Sequence, residues 1–291
     1  MKTNITKILS VLLIALFAII GANAQIYQQQ FAVDSTAFTN RAMVSGTTSY
    51  VHNTTPTNAQ LTYLASNNAS ASVGITSGAF RTIRSNGGNM YAFRNANVSS
   101  SANGAPTLYY EFEFNPSTAS STNTSAFTFW VGNGFTNGNS NPSNIFATFV
   151  AALSSSGTPP SWKINNAGTA YSGNKKIVWV LNRSGATIKY KAPTGVEVSL
   201  VTNAQDVWVN DVGTSTATRE LNNSTTGITA AQPIQHFGFR SGATGNPTTF
   251  NLDNILVDSM PKLASSNAAS SIGASSFTAN WTAVAGVTGY R

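Results

Sequence analysis

Two glutamates placed two residues apart, Glu111 and Glu113, are the residues of this chain whose spacing points most directly to catalysis. Side chains two apart on a β-strand project from the same face. A pair of carboxylates on one surface can act as general acid and as base or nucleophile in cleaving a glycosidic bond. The alternative is a solvated strand face without chemistry, and we favour it because no third acid follows the pair.

Two tryptophans are the main candidates for ligand binding. Trp130 shares its strand face with Thr128, and Trp208 shares its face with Asp206 and Asn210. If the neighbouring valines fill the core, both indoles are exposed and can stack on the apolar face of a sugar ring, whose hydroxyls the aspartate and the asparagine would bind. The alternative is that both tryptophans lie in the core, because burying an indole is strongly stabilising. The sequence leaves both interpretations open.

Two further tryptophans are assigned by their neighbours. Trp162 follows the turn at Pro159-Pro160 and is a candidate rim contact for the same ligand. Trp179 is flanked by Val178 and Val180, so we expect it in the core.

Alternating side chains predict the strands that would position these residues. In residues 108–114 (LYYEFEF) every even position is apolar, as a strand with one buried face requires. The same alternation recurs at Phe127, Phe129 and Val131, at Val207 and Val209, and at Phe237 and Phe239. Turn clusters rich in Asn, Gly, Ser and Pro separate the strands. This organisation predicts an all-β sandwich, barrel or jelly roll.

The closing strand of this body is predicted at residues 250–258. Its apolar face switches from Phe250 and Leu252 to Ile255 and Val257, which indicates a bulge near residues 253–254. The clearest domain boundary follows at Met260-Pro261, where the composition changes to Ser and Ala. Residues 133–141 are polar and too long for a tight hairpin, and they are expected to form a surface loop.

The first 24 residues have the pattern of a secretory leader. Lys2 and Lys7 precede the apolar run 8–20, and the small residues of Ala22-Asn23-Ala24 supply a cleavage site before Gln25. The run of 13 residues is shorter than the ~20 that a helix needs to cross a bilayer. We therefore expect a signal peptide over 1–24, no membrane span after its removal, and a secreted or cell-surface protein.

The composition and charge of the exported part limit its chemistry. Charged residues are 9% of the chain and cysteine is absent, so no disulfide stabilises the fold. Losing Lys2 and Lys7 lowers the formal charge from +7 to +5, and the remaining basic residues are scattered. Scattered bases predict no nucleic-acid partner. With two histidines, His52 and His236, and no cysteine, a zinc cluster or a Ser-His-Asp triad is poorly supported.

The C-terminal segment resembles the beginning of a known module. Residues 277–291 (FTANWTAVAGVTGYR) are similar to the opening strands of fibronectin type III domains from exported bacterial multidomain proteins. The resemblance implies that Trp281 is a core residue of the second strand and that Tyr290 begins the third. A complete module needs about 100 residues. We therefore expect 263–291 to be the truncated start of such a domain, in a fragment whose further domains are missing.

The body, residues 25–262, resembles the lectin-like (concanavalin A-like) jelly-roll modules that precede such domains. The resemblance rests on residues 175–185 (KKIVWVLNRSG), 206–209 (DVWV) and 252–255 (LDNI). It implies a jelly-roll β-sandwich that binds polysaccharide or a cell-surface glycan. The acidic pattern of jelly-roll glycoside hydrolases, Glu-x-Asp-x-x-Glu or Glu-x-Asp-x-Glu, is not present.

The same resemblance implies one structural calcium ion where the first and last strands meet. Asp34, near the start of the exported chain, and Asp253, at the predicted bulge, would be its ligands. The alternative, which we favour, is that both aspartates only cap turns.

The sequence thus favours a non-catalytic module of a secreted or cell-surface protein, for glycan binding or adhesion. A glycan-degrading enzyme that uses Glu111 and Glu113 is the first alternative, and a structural spacer is the second.

Overall fold

Every element that the structure describes is a β-strand, as the two-residue patterning predicts. The computed structural model describes the backbone of residues 25–29, 41–42, 48–50, 62–66, 71–76, 78–84, 89–94, 104–133, 144–241, 248–258, 266–270 and 278–281. The surroundings of side chains are described for residues 78–83, 104–133, 144–241 and 248–258. The predicted leader, Asp34, His52, Tyr290 and most of the predicted loop at 133–141 lie outside the described residues.

The larger sheet, sheet A, joins nine of the described strands in antiparallel pairs. Numbered in chain order, they are β1 (Gln25–Gln29), β2 (Arg41–Ala42), β5 (Ala71–Thr76), β6 (Ala79–Arg84), β8 (Thr107–Ala119), β13 (Lys175–Asn182), β16 (Ala204–Asp211), β17 (Ala217–Ser224) and β19 (Thr248–Asp258). Their order across the sheet is β17-β16-β13-β8-β19-β6-β5-β2, and β1 pairs with the second half of β19.

The second sheet, sheet B, joins eight of the described strands. They are β3 (Thr48–Tyr50), β4 (Thr62–Ser66), β7 (Asn89–Arg94), β9 (Asn123–Gly132), β10 (Ile145–Leu153), β11 (Ser161–Ile164), β12 (Tyr171–Ser172) and β18 (His236–Ser241). Their order is β12-β11-β10-β9-β18-β7-β4-β3. Two small hairpins complete the described strands, namely β14 (Ile188–Lys191) with β15 (Glu197–Leu200), and β20 (Ser266–Ser270) with β21 (Thr278–Trp281).

Aromatic side chains from both sheets meet in one core. On β8 the predicted inward residues Leu108, Tyr110, Phe112 and Phe114 are all fully buried. From sheet B, Phe129 lies 4.8 Å from Phe112 between ring centroids. Stacked antiparallel sheets with a shared core confirm the predicted all-β, jelly-roll sandwich.

The other predicted inward residues are also buried. Phe127, Phe129, Val131, Val207, Val209, Phe237 and Phe239 are each exposed by 1% or less. Trp179 is fully buried, as expected, and its indole N–H donates to Gln205 Oε1 at 2.8 Å. The alternation of apolar residues therefore assigns the inward face of these strands correctly.

The predicted bulge in β19 is confirmed. The pairing of β19 with β8 shifts register between Asp253 and Leu256, and Asn254 adopts a left-handed backbone with φ of 48°. Before the shift Phe250 and Leu252 face the core, and after it Ile255 and Val257 do. The inserted residue lets one strand stay buried on the same side along its whole length.

The β14–β15 hairpin covers part of the outer face of sheet A. Its residues Ile188, Tyr190 and Leu200 pack on Val180 and Trp208 in a second core, which lies on the opposite side of the sheet from the first. This cover explains why β13 is apolar on both faces.

The C-terminal hairpin of β20 and β21 lies outside the two sheets. Trp281 lies in β21, which pairs with β20, and the fibronectin type III domain stays a prediction. In the described part of the chain, no helix is long and apolar enough to cross a membrane.

Phe129 is the residue whose loss is expected to weaken the core most clearly. Its ring contacts Phe112, Phe114, Phe149 and Phe239 with centroid distances of 4.8 to 6.1 Å. Phe129→Ala should lower the free energy of unfolding by about 3–5 kcal/mol, because it removes contacts and leaves a cavity. Urea unfolding followed by tryptophan fluorescence measures this change. Val196→Ala at an exposed site is the control, and an equal loss there would contradict the assignment.

Candidate functional site

A cleft of about 410 Å³ opens on the outer face of sheet A, where both predicted acids lie. Its lining residues are Glu111, Phe112, Glu113, Lys176, Val212, Gly213, Asn254 and Leu256. They come from β8, from β13, from the turn between β16 and β17, and from β19. The prediction that the two glutamates share a face is therefore confirmed.

The strand register brings oppositely charged residues together beside β8. Lys176 on β13 is the direct cross-strand partner of Glu113, and Asp253 on β19 is its partner on the other side. Because Tyr110, Phe112 and Phe114 point into the core, the two glutamates that alternate with them have to face outward.

Glu111 is held by a cation and a phenol. Lys176 Nζ lies 2.5 Å from Glu111 Oε1, and the Tyr109 hydroxyl donates to Glu111 Oε2 at 3.0 Å. Burial, and then the negative charge of Glu111, raise the pKa of Tyr109 far above its usual range. Tyr109 therefore stays protonated and remains a donor to this carboxylate.

Glu113 has a different environment, made of neutral amides. Asn254 Nδ2 donates to Glu113 Oε1 at 2.7 Å, and Asn174 Nδ2 donates to Glu113 Oε2 at 2.7 Å. Among the described residues, no lysine, arginine or histidine forms an ion pair with Glu113. The two glutamates thus carry the same charge but differ in how it is compensated.

No tryptophan lines this cleft. Carboxylates, an ammonium group and an amide on its walls can bind hydroxyl or amine groups, while Val212 and Leu256 add apolar surface. For hydrolysis, one carboxyl would have to present a proton to the leaving group. Here both oxygens of Glu113 receive hydrogen bonds from amides, and both oxygens of Glu111 are also engaged.

Of the two interpretations left open for Trp208, the buried one is correct, and the exposed ligand-binding position is wrong. Trp208 does share a face with Asp206 and Asn210, but the three residues are only 6%, 0% and 4% exposed. The β14–β15 hairpin covers Trp208, and Trp208 Nε1 donates to Tyr190 Oη at 2.6 Å. Val207 and Val209 of β16 face the central core, and the β14–β15 hairpin covers the opposite face of the same strand.

Asp206 is the centre of the buried polar network under that hairpin. Its Oδ2 accepts from the Tyr190 hydroxyl at 2.5 Å and forms an ion pair with Arg219. Its Oδ1 accepts from the backbone N–H of Asn223 at 2.7 Å. The Arg219 guanidinium also lies 5.5 Å from the centre of the Trp208 ring. These contacts compensate a buried carboxylate and attach the hairpin to sheet A.

The other two candidate tryptophans are also buried. Trp130 lies between Thr148 and Gly238 in the strand pairing, on the face away from the central core, yet only 2% of it is exposed. Trp162 is fully buried and packs on Phe114 and Tyr171, with ring centroids 5.1 and 5.2 Å away. For Trp130 the buried one of the two open interpretations is therefore correct and the exposed one is wrong, and the predicted rim position of Trp162 is also wrong. A residue off the central core face or beside a turn can still be covered.

The metal prediction is met only in part by the described residues. β1 pairs with β19, so the first described strand does meet the strand that carries Asp253. Asp253 Oδ1 accepts from the backbone N–H of Asn254 at 2.7 Å, which is a capping role. Within the described ranges no group of three or more His, Cys, Asp or Glu could hold a metal ion. These residues alone do not make a calcium cage, and Asp34 lies outside them.

Sequence reasoning missed four residues that shape the cleft, namely Tyr109, Asn174, Lys176 and Asn254. Asn254 had a signal, because a residue at a bulge with left-handed backbone is often Asn. Lys176 had none, since only the strand pairing brings it beside Glu111.

The buried pair under the hairpin generates a stability prediction. Asp206→Asn should lower the free energy of unfolding by about 3 kcal/mol, because Arg219 keeps its charge but loses its carboxylate partner. Glu197→Gln, which breaks the exposed ion pair with Lys189, should cost less than about 1 kcal/mol. Chemical denaturation of the two variants measures both values. Equal losses would contradict the role of Asp206.

Comparisons with known proteins give structural likeness without a family. No protein-family model and no curated protein matches this chain. Arcelin-5, a lectin-like defence protein from Phaseolus vulgaris, is 10% identical over 74% of this chain and 99% of its own, with a TM-score of 0.36. A lectin from Bauhinia forficata in complex with GalNAc is 7% identical over 69% and 93%, with a TM-score of 0.39. The exoplasmic/lumenal domain of VIP36, in its Ca²⁺/Man-bound form, is 9% identical over 77% and 90%, with a TM-score of 0.37. The architecture described above rests on the strand pairing of this chain itself.

Proposed function

We propose that this chain is a non-catalytic glycan-binding module of a secreted or cell-surface protein, and that the cleft on sheet A holds the glycan. The observation that carries the proposal is the lining of this cleft. Glu111, Glu113 and Asn254 supply polar groups for sugar hydroxyls, and Leu256 and Val212 supply apolar surface for the C–H groups of the ring. Pockets for small polar ligands combine a few polar groups with apolar walls in this way.

The engaged carboxylates support binding in preference to hydrolysis. Glu111 is paired with Lys176 and Tyr109, and Glu113 accepts from two amides. The enzyme alternative keeps one observation in its favour, which is that both glutamates line the same cleft. Export through the leader at 1–24 and attachment to further domains through 263–291 belong to the proposal as its cellular context.

A double variant of the cleft tests the binding proposal. Glu111→Ala with Glu113→Ala should weaken glycan binding at least about tenfold, because two hydrogen-bonding carboxylates are lost. A glycan array finds ligands of the wild type, and calorimetry measures the affinities. Lys189→Ala with Glu197→Ala removes an exposed ion pair whose residues do not line the cleft, and it should leave the affinity unchanged. Glycan binding that survives in the cleft variant would contradict the placement of the site.

The same proteins separate binding from hydrolysis. The wild type is expected to release no reducing ends from the glycans that it binds. Cleavage by the wild type that disappears in Glu111→Gln with Glu113→Gln would replace the binding proposal with the enzyme alternative.

A structural calcium ion between the start of the exported chain and β19 is a separate proposal. It is supported by the β1–β19 pairing and by the oxygen ligands that Asp34 and Asp253 offer. Calcium at a free concentration [L] should stabilise the folded, EDTA-treated protein by RT ln(1 + [L]/Kd). Its melting temperature should therefore rise when calcium is added. Asp34→Asn should abolish this shift. An identical melting temperature with and without calcium would remove the proposal and leave both aspartates as turn caps.

A further inference from the structure

We propose that the cleft selects glycans that contain amino sugars with a free ammonium group, and that Glu113 binds this group. The inference rests on the proposed function and adds the chemical class of its ligand. It follows from the unequal compensation of the two glutamates in one cleft.

The charges of the residues that line the cleft do not cancel. Lys176 neutralises Glu111 at 2.5 Å, with side-chain exposures of 33% and 21%. Among the described residues, Glu113 receives hydrogen bonds from the uncharged amides of Asn174 and Asn254 and forms no ion pair. The three charged lining residues therefore leave one net negative charge, and it is centred on Glu113. Asp253 adds a second carboxylate at the neighbouring position across the strand pair.

The cleft differs from the chain as a whole in the sign of its charge. The formal charge is +7 for the full chain and +5 without Lys2 and Lys7 of the leader, yet this cleft has the opposite sign. An anionic polysaccharide attracted by the general charge would meet an uncompensated carboxylate at the site. A cationic group gains there, because like charges repel and opposite charges attract over a few ångströms.

The Glu113 carboxylate can also accept hydrogen bonds from an ammonium group. An ammonium group carries three donors, and an ionised carboxylate offers about four acceptor positions on its two oxygens. The two amides occupy one position on each Glu113 oxygen. Each oxygen therefore keeps a second acceptor position for a charge-assisted hydrogen bond. Leu256 and Val212 on the cleft wall suit the apolar face of a sugar ring better than a bare metal ion.

Three hexasaccharides with the same β-1,4-linked glucose skeleton test the inference. They carry at carbon 2 an ammonium (chitosan type), an acetamide (chitin type) or a hydroxyl (cellulose type), and the pH is kept low enough to protonate the amines. Calorimetry should give the tightest binding for the ammonium form. Added salt should weaken binding of this form more than that of the other two.

Single variants then identify the residue responsible. Glu113→Gln should weaken binding of the ammonium form about fivefold and leave the other two forms within about twofold. Lys176→Gln should have the opposite effect and strengthen binding of the ammonium form, because it makes the cleft more negative. Glu197→Gln changes the net charge by the same amount as Glu113→Gln at an exposed site that does not line the cleft, and no change in binding is expected for it. Thermal melts confirm that each variant is folded.

The outcomes separate this inference from the proposed function. If glycans bind to the cleft but the three hexasaccharides bind equally, the glycan-binding function stands and the ammonium preference is overturned. If Lys176→Gln weakens binding of the ammonium form, the role of Glu113 is overturned even where Glu113→Gln fails to fold. If a lysine-rich peptide binds in the cleft and none of the glycans does, both proposals fail in favour of a peptide site.

Discussion

The two-residue period of β8 is the constraint on which both the core and the cleft depend. Tyr110, Phe112 and Phe114 are buried between the sheets, so Glu111 and Glu113 have to lie on the opposite face. Burial of three large aromatic side chains is worth several kcal/mol, far more than any contact that the glutamates make. The position of the acids is therefore fixed by hydrophobic packing and is not free to follow their own interactions.

Sequence patterning was sufficient for the parts of the fold that are set by local alternation. It predicted the inward residues of β8 and β9, and it located the bulge in β19 from the change between Leu252 and Ile255. These features depend on which side of one strand is apolar, and that information lies within about ten consecutive residues. Closure of the two sheets around a common core follows from the same patterns.

The surroundings of the site depend on pairings that no local pattern contains. Trp208 has an amphipathic pattern on its own strand, but the hairpin that buries it is formed by residues 188–200. Asn254 donates to Glu113 across 141 residues of sequence. For the same reason, two glutamates that look equivalent in sequence have different partners in the folded chain.

The extra residue in β19 also separates packing against the core from the shape of the outer surface within one strand. Up to Leu252 the strand pairs with β6, and from Ile255 it pairs with β1. Asn254, placed between the two halves, points out to solvent and contributes to the cleft. Mutations at this junction can reshape the wall of the cleft while the phase of each half-strand, and hence its share of the interior, stays as it is. The irregularity gives the strand a position at which the outer surface can change without repacking of the core.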